Sequence, residues 1–427
     1  MTTGDIKVLL ALHDTQLRGR APAFPPTGAV VEQDGPLTRI HYGTHGSVDH
    51  LHLPATGLDE LIARQLRIFT ARGERVEWKV YAHDTPADLP ARLRAAGFTQ
   101  GWERTVLIAS LEPVAPMSGL REMHATLELE RVTRTSAEAG PQHTSFADFL
   151  ANGELFSLGA EVLVLDSDTP IDAVAWAYTA YDTNFMVIGG IVDPELELAP
   201  RLPAWNWRRD GRPAWRRRPD VRYLLAEADG ALRAALERAG FQAVTTTTTY
   251  HWTPPTRPAA NRPVKELFKD PEYDALWNRL DEELGFRPST TTFPGIAEPS
   301  PSVTWSLKAF RASQESDEKL QGIIERGLLA CVPSGEVLYW LDWQHIGYRF
   351  DPGRVGRAGQ PLWPGDVHPN GDYYFYLTAD LRMGTFGHPW ERTLCVFGTE
   401  LLARVERPLT ALLGTAIRSN GQKLGDT

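Results

Sequence analysis

Residues 221–252 read VRYLLAEADGALRAALERAGFQAVTTTTTYHW. The opening 221–226 is a strand-like apolar run; Asp229 follows, and an Ala/Leu/Arg helix is expected over 231–239. Gly240 suits the left-handed position that closes a helix, and Phe241 then packs back as its apolar contact. The run 243–252 is the next strand. The same order stands upstream: a strand-like run VEWKVY at 76–81, Asp84, a helix over 86–96, Gly97-Phe98 and a strand over 103–109. Two units sharing strand, acidic residue, helix and an A-G-F ending point to an internal duplication within an α/β fold.

These residues resemble the C-terminal half of GCN5-related N-acetyltransferases (GNAT), where a strand feeds a helix ending in Gly-Phe before a long last strand. Residues 172–181 and 184–192 resemble the antiparallel strands ahead of that fold's donor motif. WKVYAHDTPADLPARLRAAGF at 78–98 resembles the same half of a first copy. The resemblance implies tandem GNAT-like mixed sheets with flanking helices, a degenerate first copy in 1–115 and a second in 120–253. It also implies acyl transfer to an amine acceptor, forming an amide.

In active members of that superfamily the fourth strand runs through V-x-P into R/Q-x-x-G-x-G/A. The backbone N–H groups of that loop cradle the coenzyme A pyrophosphate at a helix N-terminus. Here Ile191 and Val192, followed by Asp193-Pro194, stand where the resemblance puts donor-binding residues. The loop beyond departs from the pattern. Residues 195–200 contain Glu195, Glu197 and Pro200 and no glycine, so the cradle is expected to repel a pyrophosphate.

A basic–aromatic stretch replaces the expected helix, RLPAWNWRRDGRPAWRRRP at 201–219. Arg208, Arg209, Arg212, Arg216, Arg217 and Arg218, with Trp207 among them, have the chemistry of phosphate grip and base stacking. A solvated Arg-laced loop is the other reading. Some tandem relatives of the fold take an aminoacyl group from tRNA without an intact coenzyme A loop. The resemblance therefore leaves two donors, aminoacyl-tRNA or acyl-CoA (or an acyl carrier), each a co-substrate rather than a tightly bound cofactor. For the amine proton, Glu227 at the end of the 221–226 strand is the candidate base, with Tyr181 and Tyr250 as acid or oxyanion partners. Asp229 reads as a helix cap.

After the Pro-rich stretch 254–263, expected as a linker, a C-terminal domain is expected over 264–420. A helix should open at Pro271, carry Leu276, Trp277, Leu280 and Leu284 on one face, and stop at Gly285. The stretches WLDWQHIGYRFDP (340–352), HPNGDYYFYLTAD (368–380) and GTFGHPWERTLCVFG (384–398) resemble a bacterial domain family of unknown function. Strands are expected at 338–343, 348–350, 373–378 and 393–397, with a helix over 400–417. Together these describe a mainly antiparallel α+β domain.

Asp342, His345, Asp372, His388 and Glu391 have metal-ligating or acid/base chemistry. No HxH or HxxxH spacing ties two histidines to one element, so no metal is expected. His368 and His388 each precede a proline, where turn geometry accounts for them. An acceptor site is expected from Trp343, His345, His388, Trp390 and Glu391.

The totals bound these readings. With 427 residues, 42% hydrophobic and 23% charged, the chain has material for two or three cores. A net charge of −10 excludes general attraction to nucleic acid and leaves only local patches. No apolar run reaches a bilayer's thickness, so no membrane partner is expected. The start MTTGDIKVLLALHD carries Asp5 and Lys7 ahead of a short apolar stretch. Only Cys331 and Cys395 occur, both in apolar strand-like settings. A cytoplasmic location follows as an expectation, while oligomeric state is left open. The leading expectation is acyl or aminoacyl transfer to a small-molecule amine, with tRNA a partner through 201–218. The alternative is a non-catalytic pseudo-acetyltransferase that binds a ligand or a protein.

Overall fold

The computed structural model describes residues 3–22, 25, 27–111, 120–122, 161–165, 173–180, 182–193, 195–204, 221–256, 259–267, 271–310 and 312–424. It divides into two compact units, Met1–Arg262 and Pro263–Thr427. The fold class is the expected one, a mixed α/β sheet followed by a mainly antiparallel α+β unit. No described helix is long and apolar enough to cross a membrane.

In the first unit the strands are β1 (Val30–Asp34), β2 (Leu37–His41), β3 (His45–His50), β4 (Arg75–Tyr81), β5 (Thr99–Ser110), β6 (Leu120–Glu122), β7 (Glu161–Leu165), β8 (Ala173–Thr179), β9 (Phe185–Val192), β10 (Tyr223–Ala228) and β11 (Gln242–Trp252). They form one sheet in the order β1-β2-β3-β4-β11-β5-β10-β9-β8-β7-β6. The order is nearly palindromic about the β11–β5 pair. Each half runs an antiparallel meander into a parallel pair, β3 with β4 and β9 with β10. The last strands exchange places: β5 lies on β10 and β11 on β4, both antiparallel. One half cannot close its sheet without the other.

Among the described residues the helices are α1 (Thr3–Leu17), α2 (Leu58–Arg72), α3 (Leu89–Ala95) and α4 (Gly230–Arg238). The A-G-F endings of α3 and α4 match bond for bond. Gly97 (φ 94°) and Gly240 (φ 98°) are left-handed. Their N–H groups reach the carbonyls of Arg94 and Glu237, while Phe98 and Phe241 donate to Leu93 and Leu236, both at 3.0 Å. That is the Schellman closure, with both rings buried in the core. Asp229 stands at the N-cap of α4, but its side chain makes no cap hydrogen bond. Helices α2 and α3 cover Val76, Trp78 and Val80 on one sheet face, and α4 joins the neighbouring cluster around Leu224 and Ala226. Leu9 of α1 packs with Tyr81, Val106, Ile108 and Leu225 on the opposite face.

The second unit has a nine-stranded antiparallel sheet: β12 (Val264–Glu266), β13 (Ser302–Ser306), β14 (Leu338–Asp342), β15 (Gly347–Phe350), β16 (Tyr374–Thr378), β17 (Gly384–His388), β18 (Thr393–Phe397), β19 (Arg418–Ser419) and β20 (Gln422–Lys423). Helix α5 (Pro271–Leu284) buries Leu276, Leu280 and Leu284 against one face and stops at the left-handed Gly285. Its N-terminal Asp270 lies outside the described residues. On the other face α6 (Gln314–Cys331) packs against α7 (Thr399–Leu413). A Cβ on Gly327 would meet Val405 at 2.3 Å, so only glycine permits that approach. Cys395 is buried on β18, whereas Cys331 ends α6 and corrects the strand expected there.

Candidate functional site

Period-two alternation puts Glu77, Lys79 and Tyr81 of β4 on the sheet face away from α2 and α3. Lys79 Nζ reaches Glu227 Oε1 of β10 at 2.5 Å, with side chains 27% and 18% exposed. Strands β11 and β5 lie between β4 and β10. In a flat sheet the two backbones would be roughly 14 Å apart, three strand spacings, so both long side chains reach across the intervening strands to meet. The pair therefore joins the two halves across their seam. Around it, Lys79 lies 5.8 Å from the Trp102 ring and Arg104 4.5 Å from the same ring. His251 of β11 faces Glu77 at 3.7 Å. Burial, reinforced by the Glu227 charge, holds Glu77 above the usual carboxylate range against the pull of His251, Lys79 and Arg104. Burial works against the Lys79 ammonium, yet Glu227 pushes its pKa up. A carboxyl with a raised pKa thus stands beside one that is ion-paired.

Glu227 also stands where the second half opens. The parallel pairing of β10 with β9 ends at Ala226↔Ile188, while both strands continue. In the first half the β3–β4 pairing likewise ends at Val48↔Trp78. There the gap is filled. Arg18, beyond α1, donates to the His50 carbonyl at 3.1 Å and to Asp84 at 2.5 Å. The Trp78 indole donates to His50 Nδ1 at 3.2 Å, leaving Nε2 facing Asp84 at 3.1 Å. The second half has no such plug among the described residues.

The loop after β9 has closed on itself. The Asp193 carboxylate accepts from the N–H groups of Leu198 (3.0 Å) and Ala199 (2.8 Å). Leu198, Ala199 and Leu202 are buried beneath them. Two amides of this loop thus already hold an internal anion, which goes beyond the repulsion expected from Glu195 and Glu197. Asp193→Ala should lower the stability of this unit by about 1 kcal/mol, read from urea unfolding, because two amides lose their acceptor. Ile191 and Val192 have buried side chains, so only their backbone could meet a donor.

Tyr250 is a correction. It pairs with Trp78, is buried and accepts from Arg94 at 3.4 Å, on the face opposite Glu227. Alternation removes it from the seam. Tyr181, Trp207, Arg208, Arg209, Arg212, Arg216, Arg217 and Arg218 lie outside the described residues. Sequence reading missed Glu77 and Lys79; the signal was two charges alternating with apolar residues in VEWKVY.

In the second unit the expected acceptor set separates into two groups on either side of the Tyr373 ring. Trp343 lines a cleft of about 570 Å³ with Tyr273, Trp277, Phe286 and Arg287. His345 stands beside Asp342 and Asp372. Burial, with the neighbouring Asp372 charge, raises Asp342. The other group is His388, Trp390 and Glu391. His388 is fully buried at the end of β17, at the start of the turn to β18. Its Nδ1 accepts from the Glu391 N–H at 3.1 Å, so a neutral ring carries its proton on Nε2. Burial, with Arg418 nearby, brings it down to about 4. Glu391 is bound by Arg418 through both of its carboxylate oxygens. Trp390 lines a smaller cleft of about 260 Å³ with His368 and Arg392.

Comparison with known proteins bears on the two units differently. A GCN5-related N-acetyltransferase from Kribbella flavida is similar at 13% identity and a TM-score of 0.38, covering 54% of this chain and 90% of that one. A tandem GNAT protein from the clavulanic acid biosynthesis pathway (without AcCoA) is similar at 14% identity and a TM-score of 0.35, covering 59% and 94%. The uncharacterized protein YxiI of Bacillus subtilis (strain 168) is 31% identical over 141 residues, 31% of this chain and 86% of that protein. The family described as Protein of unknown function (DUF2716) matches residues 267–402. With a curated relative of that identity and coverage, and the family match inside its second unit, the chain belongs to the DUF2716 family.

Proposed function

We propose that the first unit transfers an acyl or aminoacyl group to a small amine at the strand opening of its second half. The observation that supports this is the position of Glu227, at the end of the β9–β10 pairing and on the polar face of the seam. An extended donor would pair with the backbone of 189–192 as an added strand does. The amine would attack the acyl carbon, and Glu227 would take its proton and return it to the donor's departing hydroxyl or thiol as the ester or thioester bond breaks. Lys79 would neutralise charge developing beside it. The Asp193 closure favours a donor that does not depend on the pyrophosphate cradle, which suits an aminoacyl ester or a carrier-bound acyl group better than acyl-CoA.

One observation favours the non-catalytic alternative: the Glu227 carboxylate is already engaged by Lys79. The discriminating experiment offers the whole chain acetyl-CoA and, separately, mixed aminoacyl-tRNA, with a panel of primary amines, and detects amides by mass spectrometry. Transfer from either donor should fall about 100-fold or more in Glu227→Gln. No amide from either donor would overturn the catalytic reading in favour of the binding one.

A further inference from the structure

We infer that Asp342, His345 and Asp372 form a binding site for one divalent transition-metal ion, Mn²⁺ or Zn²⁺, on the second unit. Asp342 ends β14, His345 lies in the turn to β15, and Asp372 stands just ahead of β16, which pairs with β14. Among the described residues this is the His/Cys/Asp/Glu group whose ligand atoms converge, all within 4.8 Å of one another. His345 Nδ1 is 3.2 Å from Asp342 Oδ1 and 3.7 Å from Asp372 Oδ2. Ligand atoms about 2.1 Å from one ion sit roughly 3.0–3.4 Å apart, so the set needs only a small inward movement of Asp372.

Charge gives the second argument. Neither carboxylate has an Arg or Lys partner among the described residues; the ion-pair partner of each is His345. A single imidazole N–H directed between two carboxylates cannot bond both well, whereas a cation placed among the three atoms satisfies all of them.

The surroundings hold these groups in place. Asp372 Oδ1 accepts the Tyr373 N–H at 2.9 Å, leaving Oδ2 to face His345. The Tyr273 hydroxyl reaches the backbone carbonyls of both Asp342 (3.1 Å) and His345 (2.9 Å). Between them Gln344 is left-handed at φ 63°, a strained conformation for a non-glycine residue. That turn brings His345 back over Asp342. Such outer contacts are what orient metal ligands. One imidazole and two carboxylates suit Mn²⁺ or Zn²⁺ better than Ca²⁺, which takes six to eight oxygens. His345 is 61% exposed, so the remaining coordination positions are open. Trp343 and Gln344, between two of the ligands, line the aromatic cleft, so a ligand in that cleft could coordinate the ion.

The test is titration of the whole chain with MnCl₂ alone, following loss of the free-ion electron paramagnetic resonance signal, with ZnCl₂ as competitor. One equivalent of Mn²⁺ should bind, Zn²⁺ should displace it, and His345→Ala and Asp372→Asn should each weaken binding about tenfold or more. His345 lies at the surface while the Asp372 side chain is 17% exposed, so an unchanged metal-free unfolding midpoint checks that the fold is intact. Absence of stoichiometric Mn²⁺ and Zn²⁺ uptake at millimolar metal would overturn the proposal. So would uptake that the double variant leaves unaltered, or binding confined to Ca²⁺.

Discussion

Replacing Arg418 by methionine is expected to lower the stability of the second unit by about 3–5 kcal/mol at neutral pH. Arg418 sits on the short β19 with its guanidinium between two carboxylates. Its Nε donates to Glu298 at 2.8 Å, and two further nitrogens donate to Glu391 at 2.5 and 2.9 Å. The Glu298 side chain has no exposure and Arg418 only 8%. Methionine fills the volume but leaves two buried carboxylates facing each other. The pH dependence gives the prediction its sign. In the native protein burial works to raise Glu391, but Arg418 holds it below the usual carboxylate range. Its contribution is therefore present above the unfolded value, about 4.3, and is lost as pH falls through the folded value. In the variant burial is opposed mainly by the Thr393 hydroxyl, protonation relieves the repulsion, and the deficit should narrow as pH falls from 7 toward 5. Hydrogen exchange over 302–306 and 393–397, with urea unfolding at both pH values, measures it. A deficit below about 1 kcal/mol, or one indifferent to pH, would contradict the account.

The ease with which parts of this fold can be read from sequence follows the range of the interactions that set them. The A-G-F endings are legible because every bond of the closure lies within six residues, so the residues themselves specify it. Helix α5 is legible for the same reason, between Pro271 and Gly285. The exchange of β5 and β11 between halves is not, since no local pattern tells a strand which distant neighbour it will have. Tyr250 shows where alternation fails. The run Thr245–Thr249 has no apolar–polar contrast to fix parity, and register shifts at 243/245 and 248/250 reset it. Glu227 could be placed on its strand, but its partner Lys79 lies 148 residues away. Asp342, His345 and Asp372 stand among the ligand candidates legible in the sequence, but spacing within one element was the wrong criterion for joining them. Asp342 and Asp372 meet because β14 pairs with β16, not because their positions in sequence are related.

In the first unit the corresponding large effect should come from Arg18. Its guanidinium is 2% exposed and the Asp84 carboxylate it holds is 3% exposed. Arg18→Met should cost about 3–5 kcal/mol, because it strands a buried charge. Asp84→Asn in the same chain should return part of that loss, with a coupling of about 2 kcal/mol in the double-mutant cycle. The return will be incomplete, since Asp84 also accepts the Tyr81 N–H at 2.7 Å and faces His50. Acid should release this network late. Burial opposes it, but His13, Arg18 and His83 bring Asp14 down to about 2, and His50 and Arg18 lower Asp84 despite its burial. Both folded values are depressed, so the stabilisation persists through mild acid and is lost only as pH falls through them. The cycle also tests a division of labour between the halves. If the first opening is a structural plug and the second carries the chemistry, Arg18→Met assayed well below its unfolding midpoint should change stability and leave transfer per folded molecule unaltered, whereas Glu227→Gln should do the reverse. A loss of transfer in Arg18→Met that tracks no loss of folded protein would place part of the site in the first half instead.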